Sequence, residues 1–248
     1  VQYRLSPETA FRQLILYGVG LLAMFVCIGL MHRHRIFRIL NWPMILGSLA
    51  ILGVLLVVGK EQGGAKNWIK IGDFSFQPSE FVKVALVFVS ANYLTQQKGW
   101  RDWLPSALFA ILACGLLVAE RDLGAALLIA GTYLILFYTA TGDVKATLVG
   151  LGSGCVGAVA SYFVFDHVRA RVAIWQNPWA TYETSGYQIA QGLMAIASGG
   201  LWGLGLTQGS PKSIPAYNTD YIFAVICEEF GIIFGIAVIA LYLVLSLI

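Results

Sequence analysis

The sequence predicts an all-α polytopic membrane protein, and three observations support this fold class. Of the 248 residues, 58% are hydrophobic and only 12% are charged, which is far more apolar than a soluble domain. Uncharged apolar segments of about 20 residues, the length that crosses a bilayer, recur along the chain. The ionisable residues concentrate at the ends of these segments. We therefore expect a single membrane domain over residues 1–248.

We expect about seven transmembrane helices in this chain. Their predicted bounds are 11–31, 42–59, 80–97, 103–119, 123–141, 146–165 and 221–246. The third is the least apolar, because Glu80 and Lys83 lie in its first turns. These two residues share a helix face, and Lys83 is expected to pair with Glu80 or with Asp122.

Two connections between the predicted spans are long. The first, Lys60–Ser79, is glycine-rich and charged; the second, 166–220, is long enough to carry function or helices of its own. Within the second, the apolar spacing over Tyr187–Ala197 predicts a short helix lying in the membrane interface. Alternation of the spans places both connections on one side. An arginine cluster at residues 33–38 marks the other side as cytoplasmic, so 166–220 is expected to be a large extracellular loop.

Asp220 is the leading candidate for a catalytic residue. It stands where a polar segment runs into an apolar helix, and carboxylates at membrane depth are costly and usually functional. Held close to a hydroxyl and partly desolvated, Asp220 could act as a general base. The same position, directly after Asn218 and Thr219, is also typical of a helix N-cap. Both interpretations stay open at this point.

Other residues could line a polar cavity at the same membrane face. These candidates for substrate binding are Trp68, Glu80, Lys83, Asp122, Arg169, Arg171, Gln188, Lys212 and Glu228. The two arginines and Lys212 suit phosphate oxygens, although cations that meet anionic lipid explain them as well. Glu228 and Glu229 point about 100° apart on a helix, so one is expected to face a cavity and the other to pair with a neighbouring helix. No residues have the spacing of a metal site, and no basic run with aromatics indicates nucleic acid.

The order of several motifs resembles the SEDS family, the shape, elongation, division and sporulation proteins related to RodA, FtsW and SpoVE. The motifs are Trp68, Phe76-Gln-Pro-Ser-Glu80 with Lys83, Asp122-Leu-Gly124, Tyr187-Gln188, Ser198–Gly205 and Pro215…Asp220…Glu228-Glu-Phe-Gly231. The match runs over nearly the whole chain, and the last motif is the most specific. The chain departs from the family where Arg121 replaces a frequent proline and Asn218 a frequent histidine.

This resemblance implies a ten-helix fold, of which the seven helices here would be the second to the eighth. It implies an inverting peptidoglycan glycosyltransferase that polymerises lipid II into glycan strands for cell elongation, division or sporulation. The reaction would take place at the outer face of the bacterial cytoplasmic membrane, beside a class B penicillin-binding protein transpeptidase. Asp220 matches the family's essential acid, Trp68 matches a loop tryptophan, and Glu80, Lys83 and Asp122 match residues that line its cavity.

Two other function classes remain as alternatives. The chain could belong to a lipid II flippase, with intramembrane Glu80, Lys83 and Asp122 along the path. It could also belong to a non-catalytic scaffold that positions the transpeptidase. In the enzyme, Arg171, Lys212 or a divalent cation (Mg or Mn) would stabilise the departing undecaprenyl pyrophosphate.

Overall fold

The structure, a computed structural model, describes residues 7–31, 34–62, 65–71, 74–95 and 100–247. Within these ranges the chain forms ten α-helices and three short strands. The helices are α1 (Pro7–Met31), α2 (His34–Val58), α3 (Ser79–Leu94), α4 (Trp100–Ala119), α5 (Leu123–Thr141), α6 (Val144–Val164), α7 (Asp166–Gln176), α8 (Tyr187–Gly199), α9 (Ile222–Phe230) and α10 (Ile232–Leu247). The strands are β1 (Lys60–Gln62), β2 (Ala65–Ile71) and β3 (Phe74–Phe76).

Five of the described helices are long and apolar enough to cross a membrane. They are α1, α2, α4, α5 and α6, and all five fall where the sequence predicted spans. Two of the seven predicted spans are not among these five helices. The third predicted span is α3, whose 16 residues extend about 24 Å, which is short of a typical hydrocarbon core. The last one is interrupted.

The predicted helix 221–246 breaks at Gly231 into α9 and α10. Gly231 has a φ of 87°, which a residue with a Cβ rarely adopts. The break leaves carbonyls at the end of α9 and N–H groups at the start of α10 without helical partners. Loop residues 199–205 supply them: the Leu204 N–H donates to the Glu228 carbonyl at 2.9 Å, and the Gly200 carbonyl accepts from the Ile232 N–H at 2.9 Å. Both halves of the break are therefore stabilised by the same glycine-rich loop.

The glycine-rich connection before α3 contains a small antiparallel sheet, which an all-helical prediction did not include. The strand order is β1-β2-β3, with Lys60 opposite Trp68 and Ile69 opposite Phe76. The β2 sequence Ala-Lys-Asn-Trp-Ile-Lys-Ile contains the branched and aromatic residues that favour strands. This sheet brings Asn67 and Gln77 toward the beginning of α5, where they contact Asp122.

The chain divides into two compact units, Ala23–Val164 and Val1–Leu22 with Phe165–Ile248. In the first, α2 to α5 pack around an apolar core, in which Leu52, Leu86, Phe109 and Ile129 are fully buried. Because lipid is as apolar as leucine, close packing rather than removal from water stabilises such a core. In the second, α8 packs against α9 around a smaller cluster that contains Ile214 and Val225.

Candidate active site

Asp220 lies in a turn that is closed by one carbonyl oxygen. The Ala216 carbonyl accepts hydrogen bonds from the N–H groups of Thr219 (3.1 Å) and Tyr221 (3.2 Å). Ala216 has a φ of 53°, an uncommon conformation for a residue other than glycine, asparagine or aspartate. The turn therefore stores backbone strain next to the predicted catalytic residue, and its hydrogen bonds keep that strained conformation in place.

The N-cap interpretation of Asp220 is wrong in this structure. The residue that caps α9 is Tyr221, and no side-chain cap hydrogen bond occurs there. The Asp220 carboxylate is exposed, and it forms no hydrogen bond or salt bridge with the residues that the structure describes. Burial, and secondly the charge of Asp220, raise the pKa of the Tyr221 hydroxyl above 10. Because the Asp220 carboxylate is exposed, its oxygens are available to a substrate.

The start of α9 is fixed by a close contact with α8. The Tyr221 ring lies against Gly192, where a Cβ would come within 2.6 Å of a ring carbon. The buried positions of α8 are small residues, Ala190, Gly192, Ala195 and Gly199. The predicted helix at Tyr187–Ala197 is confirmed, and its larger residue Leu193 is exposed on the opposite side. The small face allows α9 to approach closely.

Two predicted site residues hold the polar segment before Asp220. The Gln188 side chain donates from Nε2 to the Pro215 carbonyl at 3.1 Å. The Glu228 carboxylate is buried at 6% exposure, and its Oε1 accepts the Ser210 N–H at 3.1 Å. Lys212 is exposed in a short 3-10 helix, Pro211–Ser213, between these two contacts.

Both predicted arginines lie on α7, a surface helix without a buried residue. Arg169 forms a salt bridge with Asp166 one turn away, so its charge is partly neutralised. Arg171 is exposed on the same helix. Trp175 near the end of α7 is 75% exposed, which is typical of tryptophan at a membrane interface. The second unit therefore presents Arg171 and Lys212 as its exposed cationic candidates for an anionic ligand.

In the first unit, Asp122 is the centre of a hydrogen-bond network. Its Oδ1 accepts the Ala125 N–H at 3.1 Å, which makes it the N-cap of α5. Its Oδ2 accepts from Asn67 Nδ2 at 2.7 Å and from Gln77 Nε2 at 3.2 Å. Asp122 thus joins the sheet, the entry to α3 and the beginning of α5.

Glu120 is a buried carboxyl that the sequence analysis did not include among the site residues. It lies in the tight turn between α4 and α5, where Arg121 has a φ of 63°. It is 0% exposed, and neither of its carboxyl oxygens has a partner within the described parts of the chain. Burial, and secondly the charge of Asp122, raise the pKa of Glu120 to about 7. A buried carboxyl without donors is most stable when it holds its proton.

The remaining candidates in this unit lie at the entry to α3 and in β2. Lys83 Nζ contacts Glu80 at 2.8 Å, so of the two predicted partners, Glu80 and Asp122, the structure pairs Lys83 with Glu80. The Glu80 side chain is 56% exposed, so this pair adds little to stability. Trp68 is half-buried in β2. The prediction that one cavity joins Asp220 to Lys83 and Asp122 stays a prediction, because the two groups belong to different units.

No group of three or more His, Cys, Asp or Glu side chains that could hold a metal ion occurs in the described ranges. Acidic residues of the site instead accept protein N–H groups, as Asp122 and Glu228 do. These ranges therefore do not supply a ready-made set of ligands for Mg or Mn.

Comparison with known proteins decides the family. A family model described as "Cell cycle protein", which covers FtsW, RodA and SpoVE, matches residues 2–248. The chain belongs to the FtsW/RodA/SpoVE family. This confirms the SEDS resemblance of the sequence motifs, and with the five candidate spans it identifies a multi-pass membrane protein.

Individual family members share about a third of their residues with this chain. Peptidoglycan glycosyltransferase RodA of Mycobacterium tuberculosis H37Rv is 33% identical over 255 residues, which cover 94% of this chain and 54% of that protein. Stage V sporulation protein E of Bacillus subtilis is 33% identical, with coverage of 95% and 66%. The chain spans about half the length of the RodA relatives it matches.

The fold also matches that of a chain in a solved structure. The chain matches one from "Structural coordination of polymerization and crosslinking by a peptidoglycan synthase complex" with a TM-score of 0.72 and 28% identity. The match covers 97% of this chain and 68% of that one. The predicted helical membrane fold of the family is therefore confirmed for the chain as described.

Proposed function

We propose that the full-length protein is a peptidoglycan glycosyltransferase, which polymerises lipid II with Asp220 as its general base. The observation that carries this proposal is the state of the Asp220 carboxylate: it is exposed, it is not used as a helix cap, and a strained turn holds it. The names of the RodA and FtsW relatives support the reaction class.

In the proposed reaction, Asp220 takes the proton from the acceptor sugar hydroxyl of lipid II. The resulting oxygen attacks the anomeric carbon of the growing strand and forms a new glycosidic C–O bond. The bond from that carbon to the pyrophosphate oxygen breaks, and undecaprenyl pyrophosphate leaves with the electron pair. Displacement from the opposite side inverts the anomeric centre. A base held in place contributes typically about 10²–10⁴-fold to such a rate.

The departing pyrophosphate carries negative charge that must be stabilised. Lys212 is close in sequence to Asp220 and is exposed, and Arg171 is exposed on α7. Both are compatible with binding phosphate oxygens at a membrane surface. The proposed divalent cation, Mg or Mn, would neutralise the same charge, although the described acidic residues do not form a set of ligands for it.

The proposed setting is the outer face of the bacterial cytoplasmic membrane, where the lipid tails stay in the bilayer and the sugars reach residues 166–220. We propose a class B penicillin-binding protein transpeptidase as the partner. The support for a partner is that the structural neighbour comes from "a peptidoglycan synthase complex".

The test is polymerisation of purified lipid II by the full-length protein and its Asp220→Asn variant. Asparagine keeps the shape of the side chain but cannot accept the proton, so we expect a loss of at least about 100-fold. Glu183→Gln is the matched control, because it removes an exposed carboxylate from the same connection without touching the proposed machinery. Undiminished polymer from Asp220→Asn rules out the base role.

The same preparations separate the alternatives. A flippase moves labelled lipid II between leaflets and makes no glycan, whereas a scaffold retains its partner and makes no glycan even as the wild type. Either result contradicts the enzymatic proposal, and strand synthesis that depends on Asp220 supports it.

A further inference from the structure

We propose that Glu228 is a positioning residue for Lys212, which it orients toward the leaving pyrophosphate. This inference rests on the proposed function, since it requires that Lys212 binds the pyrophosphate. It assigns to Glu228 a role inside the protein, in contrast to the direct substrate contact that the sequence analysis predicted for it.

The contact itself is specific. Glu228 Oε1 accepts the Ser210 N–H at 3.1 Å, and a Cβ on Gly209 would come within 2.7 Å of Glu228 Oε2. Only glycine at position 209 therefore leaves room for the carboxylate where it lies. Glu228 Oε2 has no partner among the described residues, so the buried carboxylate is under-satisfied. Such burial costs free energy, and an apolar side chain of the same size would avoid that cost.

Ser210 is also the residue at which the short helix of Lys212 begins. The Ser210 carbonyl accepts the N–H of Ser213 at 3.0 Å and its hydroxyl at 2.8 Å. The other end of the short helix is fixed by Ile214, which is 1% exposed in the apolar cluster between α8 and α9. Lys212 therefore lies between two fixed residues: Ser210, whose N–H Glu228 binds, and Ile214, which is buried in the apolar cluster. The Lys212 side chain itself is exposed and can reach outward.

Glu228 is held rigidly because the backbone of its helix, α9, is itself bound by a neighbouring loop. The Glu228 carbonyl accepts the Leu204 N–H at 2.9 Å, and the Glu229 carbonyl accepts the Gly205 N–H at 3.1 Å. Gly203 approaches so closely that a Cβ would lie 2.3 Å from the Glu229 carbonyl oxygen. The glycine-rich loop thus fixes the turn of α9 that carries Glu228, and Glu228 in turn fixes Ser210.

The experiment is a double-mutant cycle in the full-length protein with purified lipid II. Lys212→Met should lower kcat/KM by about 10-fold or more, since it removes a charged hydrogen bond to the leaving group. Glu228→Met should give about the same loss, and the double variant should lose no more than Lys212→Met alone. Glu228→Gln keeps an acceptor for the Ser210 N–H and should restore activity to within about threefold of the wild type.

Two further variants keep the test independent of folding. Gly209→Ala should reproduce the loss of Glu228→Met, because its Cβ displaces the carboxylate without making a cavity. Glu229→Met is the matched control: Glu229 is also buried, and it contacts the loop through its backbone carbonyl, which the substitution keeps, so activity should stay at the wild-type level.

Amide hydrogen exchange over residues 209–213 gives a readout that does not require activity. Exchange should rise in Glu228→Met and Gly209→Ala and stay unchanged in Glu229→Met. Losses that multiply in the double variant, a Gln variant as impaired as the Met variant, or unchanged exchange would each overturn the positioning role. If the wild type makes no glycan, the proposed function fails, and the exchange result still decides whether Glu228 anchors Ser210.

Discussion

Glu120 should make the stability of the protein fall as the pH rises from 4.5 to about 7. Its pKa in the folded chain is about 7, compared with 4.5 for an ordinary glutamate. Between these values the folded state holds a proton that the unfolded state has lost, so the free energy of unfolding decreases with pH. The stabilisation is fully present below pH 4.5 and is lost as the pH passes the folded pKa. At about 1.4 kcal/mol per pKa unit, the difference corresponds to about 3 kcal/mol.

The assay compares the wild type with Glu120→Gln by denaturant unfolding in detergent micelles from pH 4.5 to 8. Glutamine is neutral throughout, so the variant should lack the decrease of about 3 kcal/mol that Glu120 gives the wild type. Taking the difference between the two proteins cancels the other titrating groups. Infrared spectroscopy provides a direct check, because a protonated Glu120 should contribute a carboxylic C=O band at pH 6 that the variant lacks.

Glu183→Gln is the control, since it makes the same change of side chain at an exposed position. Parallel curves for wild type and Glu120→Gln would refute the reasoning, as would the absence of the carboxylic band at pH 6. Either result would mean that water or another donor reaches the Glu120 oxygens and keeps them ionised.

Two backbone predictions concern the segments that hold the site. Gly231→Ala places a Cβ 2.2 Å from the Leu201 carbonyl oxygen at a φ of 87°, so it should destabilise the protein by about 3 kcal/mol, whereas Gly152→Ala, which has open space, should not lower the unfolding midpoint. Ala216→Val introduces a β-branched residue at a φ of 53° and should lower polymerisation by disturbing the turn of Asp220, while Ala216→Gly should be tolerated; equal activity of the two variants would contradict this.

The five candidate membrane spans could be predicted from apolar length alone. The predicted span 123–141 coincides with α5. Membrane helices must satisfy their backbone internally, so a long uncharged segment has few alternatives to a helix. The predicted continuous helix 221–246 is wrong at Gly231, where a neighbouring loop supplies hydrogen bonds that a continuous helix would make internally.

The sheet and the Asp122 network were not predictable from local patterns. Asn67 and Gln77 are 55 and 45 residues from Asp122 in the chain, and neither has a charge that would single it out. Glu120 was visible in the turn, but its complete burial depends on packing of the first unit. One sequence signal could have identified Glu120 as a site residue. It is a polar residue in a turn between two spans, and it lies two residues before Asp122, a predicted cavity residue.

The glycine-rich loop 199–205 and the Glu228–Gly231 motif act as one structural device, although they are separate in the sequence. Loop N–H groups donate to carbonyls near the end of α9, and a loop carbonyl accepts an N–H group at the start of α10. A Cβ on Gly199 would lie 2.1 Å from the Cys227 carbonyl oxygen, so the backbones must meet without side chains between them. Because the break fixes Glu228 and Glu228 holds Ser210, the rigidity of this device extends to the segment that leads to Asp220. A substitution in the loop, which contains no proposed reacting group, should therefore impair polymerisation through position rather than through chemistry.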